Sequence, residues 1–308
     1  MFNRKAVLWV LLLGTFYGST LVVSRFSVGQ YDPRTYISLR LIIAATAHSL
    51  VYAFARRQSW PTDSSLWLRA GILGVLGTAL PMTAIVSSLQ YQSSGITSLL
   101  LTLNPAVTVV LAHIFLTDEQ LTWRKLAGVL LAFSGAGLLL LRGETGLADL
   151  VQADWRGYAW VGIGIFGGAA ATVYARRMLR FEASFDVASI RMLVAALVLI
   201  PVTGLTVGYD LSAVDTAGYM SLVYAAIFGT FSGMLLNFYI IKTYGATPAS
   251  QVSYVIPVVA TGLGAIFLGE RITPGMLVGM AIIFAGITLL NWRRTRAVPA
   301  RQPILASD

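Results

Sequence analysis

Long apolar runs, not alternating positions, dominate this chain. Ten near-continuous hydrophobic stretches lie at roughly 6–28, 34–55, 66–90, 95–116, 123–142, 156–178, 185–207, 216–240, 247–268 and 275–292. Each is long enough to cross the ~30 Å hydrocarbon layer of a bilayer as a helix. A helix satisfies its own backbone in lipid, whereas the strands of a membrane barrel would alternate in polarity, and these runs do not. The pattern predicts an all-α membrane protein with ten transmembrane helices. Connections are short, so successive helices are neighbours. The first run follows Asn3-Arg4-Lys5 like a secretory signal, yet it continues to about Val28 with no small-residue cleavage pattern. It is read as a retained helix. Residues 295–308 are polar, carry two prolines, and are read as a disordered cytoplasmic tail.

The second half of the chain repeats the first at an offset of 150 to 152. Gly14, Phe16 and Gly18 match Gly164, Phe166 and Gly168. Ser38-Leu39-Arg40 matches Ser189-Ile190-Arg191, and Gly77-Thr78 with Met82 matches Gly229-Thr230 with Met234. Pro105 matches Pro257, and Glu119 matches Glu270. The register slips only at loops, as loop insertions would produce. The expected units are 1–147 and 148–294, each with five helices. An odd number of crossings per unit forces the second to cross in the opposite direction. Two inverted five-helix repeats are a transporter design, because near-equivalent halves can exchange their packing.

Composition sharpens the class. Hydrophobic residues make up 56% of the chain and charged residues only 11%, against about 25% charged in soluble domains. There are no cysteines, which removes disulfides, thiolate metal sites and cysteine nucleophiles. The net charge of +9 does not mark a nucleic-acid binder, because Lys and Arg fall in short clusters between apolar runs. With a cytoplasmic N-terminus, the inside would hold fifteen of the 22, Arg56, Arg57, Arg176, Arg177, Arg293 and Arg294 among them; the outside would hold five: Arg25, Arg34, Arg142, Arg156 and Arg271. That bias places both termini in the cytoplasm. The remaining two, Arg40 and Arg191, lie within helices.

All thirteen Asp and Glu fall in loops, at helix ends or in the tail. Proton-coupled export of a cation needs a buried carboxylate, so a small-multidrug-resistance mechanism and a permanently cationic solute are disfavoured. His48 and His113 are the titratable alternatives near neutral pH, and each is read first as a histidine hydrogen-bonded between packed helices. Arg40 and Arg191 stand at the levels of Glu270 and Glu119, respectively. These four are candidate gate or structural charges: snorkelling or interfacial pairing comes first, gate salt bridges second, and substrate contact third. Pro105 and Pro257 are candidate hinges, each freeing the carbonyl four residues earlier, at Leu101 and Ser253. Such an opening is tolerated where helices line a cavity. The expected pocket lies mid-membrane between the first, third, fourth, sixth, eighth and ninth helices. Its candidate substrate-binding residues are Tyr17, Ser19, Thr78, Met82, Thr102, Asn104, Phe166, Phe231, Gln251 and Tyr254. Glycine spacings such as Gly275/Gly279 serve either packing within the chain or a dimer seam on the fifth and tenth helices. Metalloprotease, hydrolase, Walker and dinucleotide signatures are absent, so neither an enzyme nor a cofactor is expected.

Phe16-Tyr17-Gly18-Ser19, the Ser-x-Arg-x-x-x-Ala-Ala pattern at 38–45 and 189–196, the two mid-helix prolines and Phe-Leu-x-Glu-Arg-Ile-Thr-Pro at 267–274 carry a family likeness. Over about residues 6–292 the chain resembles the drug/metabolite transporter superfamily, and within it the EamA-type exporters. Tyr17 departs from the Trp of many members. The resemblance implies ten helices with both termini inside a cell inner membrane, and efflux or exchange of amino acids and related small metabolites. A small-molecule substrate and the lipid bilayer are then the partners, with no nucleic acid, and the chain acts as a monomer or homodimer. The leading reading is a secondary transporter exporting or exchanging small neutral or zwitterionic metabolites such as amino acids by alternating access, with a lipid flippase or other intramembrane protein as the alternative.

Overall fold

The computed structural model describes residues 4–54, 59–117, 119–148 and 154–291. Ten helices in it are long and apolar enough to cross a membrane: α1 (Lys5–Ser27), α2 (Pro33–Phe54), α3 (Ser64–Ser88), α4 (Ser94–Phe115), α5 (Trp123–Leu141), α6 (Trp155–Met178), α7 (Ser184–Thr206), α8 (Thr216–Tyr244), α9 (Pro248–Leu268) and α10 (Pro274–Asn291). Local chemistry sets their ends. Asp63, Ser93, Thr122, Asp154 and Asp215 each accept a backbone N–H in the first turn of α3, α4, α5, α6 and α8, capping donors that the helix cannot satisfy itself. Gly269, at φ 65°, closes α9, in a left-handed conformation that a Cβ disfavours. The α8 helix runs beyond the expected 240 to Tyr244. The tail, Arg56 and Arg57 lie outside the described residues.

Two internal irregularities follow the repeat. The α3 and α8 helices each contain a π segment, Val75–Ala79 and Ala225–Ser232. Both segments carry the matched Gly-Thr pair. The prolines break the symmetry. At Pro105 the α4 helix splits into Ser94–Leu101 and Asn104–Phe115, joined by a tight turn at Thr102-Leu103. Pro257 stays inside a continuous α9.

Helix packing obeys the inverted repeat. The α2 helix packs on its counterpart α7, and α5 on its counterpart α10, while α1 lies along α9 as α6 lies along α4. The α5–α10 crossing is close: a Cβ at Gly128 would sit 2.8 Å from the Gly286 carbonyl oxygen, and one at Gly135 3.0 Å from that of Gly279. Backbones meet there with no side chain between them, so these glycines are used within one chain. Buried Ile96, Leu99, Ile283 and Ile287 fill the core on this side, and Tyr36, Leu41, Met192 and Ala225 fill the other.

Candidate functional site

A cavity of about 310 Å3 opens between the repeats. Its walls are built from repeat-matched pairs: Arg40 and Arg191, Gly77 and Gly229, Thr78 and Thr230, Met82 and Met234, Leu101 and Ser253. A cavity lined by both members of so many pairs lies on the pseudo-two-fold axis. Leu101 and Ser253 are the positions four residues before each proline, where the backbone carbonyl loses its donor. Tyr17, Thr20, Ser24, Ser98 and Thr102 add hydroxyls, and Ile85, Val86 and Ile256 add apolar wall.

The two arginines hold the site's geometry by crossing between repeats. Arg40 Nε donates to Thr230 Oγ1 at 2.7 Å, and Arg191 Nε donates to Thr78 Oγ1 at 2.8 Å. Each bond is the symmetry mate of the other. Arg191 Nη2 also donates to the Gly77 carbonyl at 3.0 Å, and Arg40 Nη1 reaches Ser24 Oγ at 3.4 Å. The π segments explain the placement. A π turn widens the helix and loosens its hydrogen-bond ladder, so a threonine there can turn outward to an arginine. Thr230 accepts from Arg40 while donating to Ala225 O, five residues back.

These contacts correct the expected pairing of arginines with glutamates. Glu270 is buried at the N-terminus of α4, where it accepts from Ser94 N and Ser94 Oγ, both at 2.8 Å, and from Gly95 N at 3.3 Å. Its counterpart Glu119 instead accepts from Arg176 Nη1 at 2.6 Å and Lys125 Nζ at 3.2 Å. The hydrogen bond from Arg176, then that from Lys125, holds the Glu119 carboxyl below its ordinary pKa.

Equivalent glutamates with different partners reveal two unlike faces. On the face away from the N-terminus, Glu270 ties the α9–α10 loop to α4. Ser93 N donates to Thr145 O and Arg271 N to Gly146 O, both at 2.8 Å, and Thr273 bonds Glu144. Here the Ser94–Leu101 half of α4 packs on α9. On the N-terminal face, Asn104–Phe115 packs on α6 and makes no extended contact with α9. Toward the face away from the N-terminus α4 and α9 thus pack together, and toward the other they make no extended contact.

Of the sequence candidates, the structure brings Tyr17, Thr78, Met82, Thr102, Arg40 and Arg191 to the cavity. It leaves the others elsewhere. Ser19 bonds the Tyr224 hydroxyl at 2.8 Å. Phe231 stands edge-on to the His48 ring, 4.9 Å between centroids. Phe166 is 57% exposed on the outer surface. Asn104 Oδ1 accepts from Thr108 at 3.1 Å, because the turn at Thr102-Leu103 rotates everything after it. Tyr254 packs on Phe284 at 5.2 Å. Gln251 stands two residues before the lining Ser253, roughly 200° around a regular helix. The helices differ accordingly: α2 and α7 contribute, and α6 does not. His48 Nδ1 lies 3.0 Å from Ser189 Oγ, so its partner is a hydroxyl. His113 Nδ1 sits at the end of α4 against Glu119 O and Leu121 N.

The profile of the EamA-like transporter family matches residues 4–141 and 155–292. An uncharacterized transporter of Archaeoglobus fulgidus is 26% identical over 93% of this chain and 99% of its own. An uncharacterized inner membrane transporter of Escherichia coli is 26% identical over 89% of this chain and 87% of its own. A probable terminal-alkyne amino-acid exporter of Streptantibioticus cattleyicolor is 29% identical over 75% of this chain and 80% of its own. A solved crystal structure superposes with a TM-score of 0.64 at 20% identity, covering 94% of this chain and 97% of that one, a likeness of fold alone.

Proposed function

We propose, from the premise that this chain belongs to the EamA-like transporter family, that it exports or exchanges small metabolites, zwitterions such as amino acids included, by alternating access. The observation that carries the reading is the cavity on the repeat axis, with α4 and α9 packed together toward one face only, which we read as the sealed face. Exchanging the conformations of the two repeats would open the sealed face and close the open one. In that exchange Glu119 takes the place Glu270 holds now. The Lys and Arg bias puts the open face in the cytoplasm, so a solute would load from inside, in the direction of efflux. The likeness to a probable amino-acid exporter supports the solute class.

Proteoliposome uptake with a panel of labelled amino acids and organic acids, with and without a pH gradient, tests this. Saturable uptake that persists without the gradient is expected, since no carboxylate among the described residues lines the cavity. Flux that vanishes without it would refute proton-independence and direct attention to His48→Gln and His113→Gln.

One feature favours the flippase alternative. An apolar groove between α3, α4 and α6, lined by Leu76, Leu111, Phe115 and Phe166, shares Gly77 with the central cavity. Translocation of a fluorescent lipid in the same vesicles, with no solute uptake, would decide for that reading.

A further inference from the structure

The central cavity carries charge of one sign. Arg40 and Arg191 are its charged lining residues, and no Asp or Glu among the described residues lines it. Arg40 is only 7% exposed. No carboxylate among the described residues pairs with either arginine; their partners are threonines, a serine and a backbone carbonyl. A buried charge without a counter-ion is strongly unfavourable, and two facing one cavity repel each other as well.

Nor are the guanidiniums saturated. Each has five N–H donors. Arg40 uses two of them, one long, and Arg191 uses two. Nε of each is fixed on a threonine from the opposite repeat, which aims the outer nitrogens and prevents the side chain from folding away. Tyr17 lines the same cavity and adds a further hydroxyl to its wall. Donors are thus in excess, and acceptors of full negative charge are missing.

From this we infer that the substrate is a small organic acid with two carboxylates, one facing Arg40 and the other facing Arg191. The inference rests on the transporter reading and narrows its solute class. A carboxylate supplies the charge and the paired acceptor geometry that a guanidinium matches. A solute with two carboxylates neutralises both ends of a site that the repeat makes two-ended. An uncharged solute would leave both arginines uncompensated, and a monocarboxylate would leave one. An acidic amino acid fits the same chemistry, its ammonium meeting the hydroxyls of Thr20, Ser24 and Thr102. Arginine pairs that merely brace the π segments would show no such preference.

The test uses the full chain in proteoliposomes, with succinate and glutamate as dicarboxylate probes and lactate, alanine, leucine and lysine as comparators. Uptake and ligand-induced thermal stabilisation are both measured. Succinate or glutamate is expected to be transported and to stabilise the protein, with lactate weaker by about tenfold or more, the loss of one charged hydrogen-bonded contact. Arg40→Gln and Arg191→Gln should each erase most of the preference for succinate over lactate. Arg40→Lys, which keeps the charge and loses the fork, should retain part of the preference, so a loss there equal to that in Arg40→Gln would reduce the arginine to a structural role. The wild-type panel decides even where a variant fails to fold. Uptake of alanine or leucine without the dicarboxylates would overturn the inference and leave the transporter reading standing. No uptake of any probe, with lipid translocation present, would overturn both.

Discussion

Glu270 and Glu119 show how one residue type takes two roles at equivalent positions. Glu270 accepts two backbone N–H groups and a hydroxyl at the start of α4, where the helix dipole also favours a negative charge. Glu270→Gln should lower stability by about 1–3 kcal/mol, since it removes a charge and leaves buried donors imperfectly matched; melting in detergent measures it. Glu119 is different, because its partners lie at the surface. Its pKa is depressed by Arg176 and Lys125, so its contribution is present above the ordinary glutamate range and is lost as pH falls through the depressed value. For partly exposed pairs the amount is at most about 1 kcal/mol. The melting difference between wild type and Glu119→Gln should therefore be small near neutral pH and disappear on acidification. A difference that grows in acid would contradict this assignment. The glutamates were legible as a matched pair in the sequence, but Ser94 and Arg176 were not legible as their partners, because those come from helices distant in the chain.

At the scale of the element, the informative departures from regular helix are the π segments and the break in α4. Sequence periodicity does not announce a π turn, because one extra residue in the ladder shifts the apolar pattern by less than its own irregularity. The retained signal was instead the Gly-Thr pair, present at matched places in both halves and each meeting an arginine of the other. Thr78→Val should unseat Arg191 and lower transport about tenfold, while surface expression is maintained; the loss corresponds to one hydrogen bond to a charged group. Both prolines were legible as hinges, yet only Pro105 divides its helix. The two halves of α4 pack on different neighbours, the first on α9 and the second on α6. Pro105→Ala should let the ladder close across Thr102-Leu103 and straighten α4. Reduced transport with an unchanged or raised melting temperature is the expected result, and a variant with normal flux would show that the break is not used.

For the whole molecule, the asymmetry between faces is the functional statement. The absence of cysteine makes it directly testable, since Ser253→Cys places a single thiol on the cavity wall. A membrane-impermeant maleimide should react faster from the N-terminal face than from the opposite one. Adding Glu270→Gln should speed labelling from the sealed face, because it weakens the contact between the α9–α10 loop and α4. Equal rates from both sides in the single variant would mean that the seal does not hold in a bilayer.

The sequence by itself determined the solvent, the number of crossings and the inverted repeat. Those depend on the length and apolarity of contiguous runs and on an odd count of helices per unit, which are properties of neighbouring residues. It also marked Arg40, Arg191, Thr78 and Thr230, because each has its counterpart in the other half. Only the tertiary structure decided that the arginines face a cavity and not the glutamates at their own depth. It likewise decided that Asn104, Gln251 and Tyr254 stay out of the cavity lining, and that α4 and α9 pack together toward one face only. The physical reason is rotational. Depth along a helix can be counted from the chain at a fixed rise per residue, but the direction a side chain points depends on every turn before it. A π segment or a proline break resets that direction, and which neighbour the side chain then meets is settled by helices far away in the sequence.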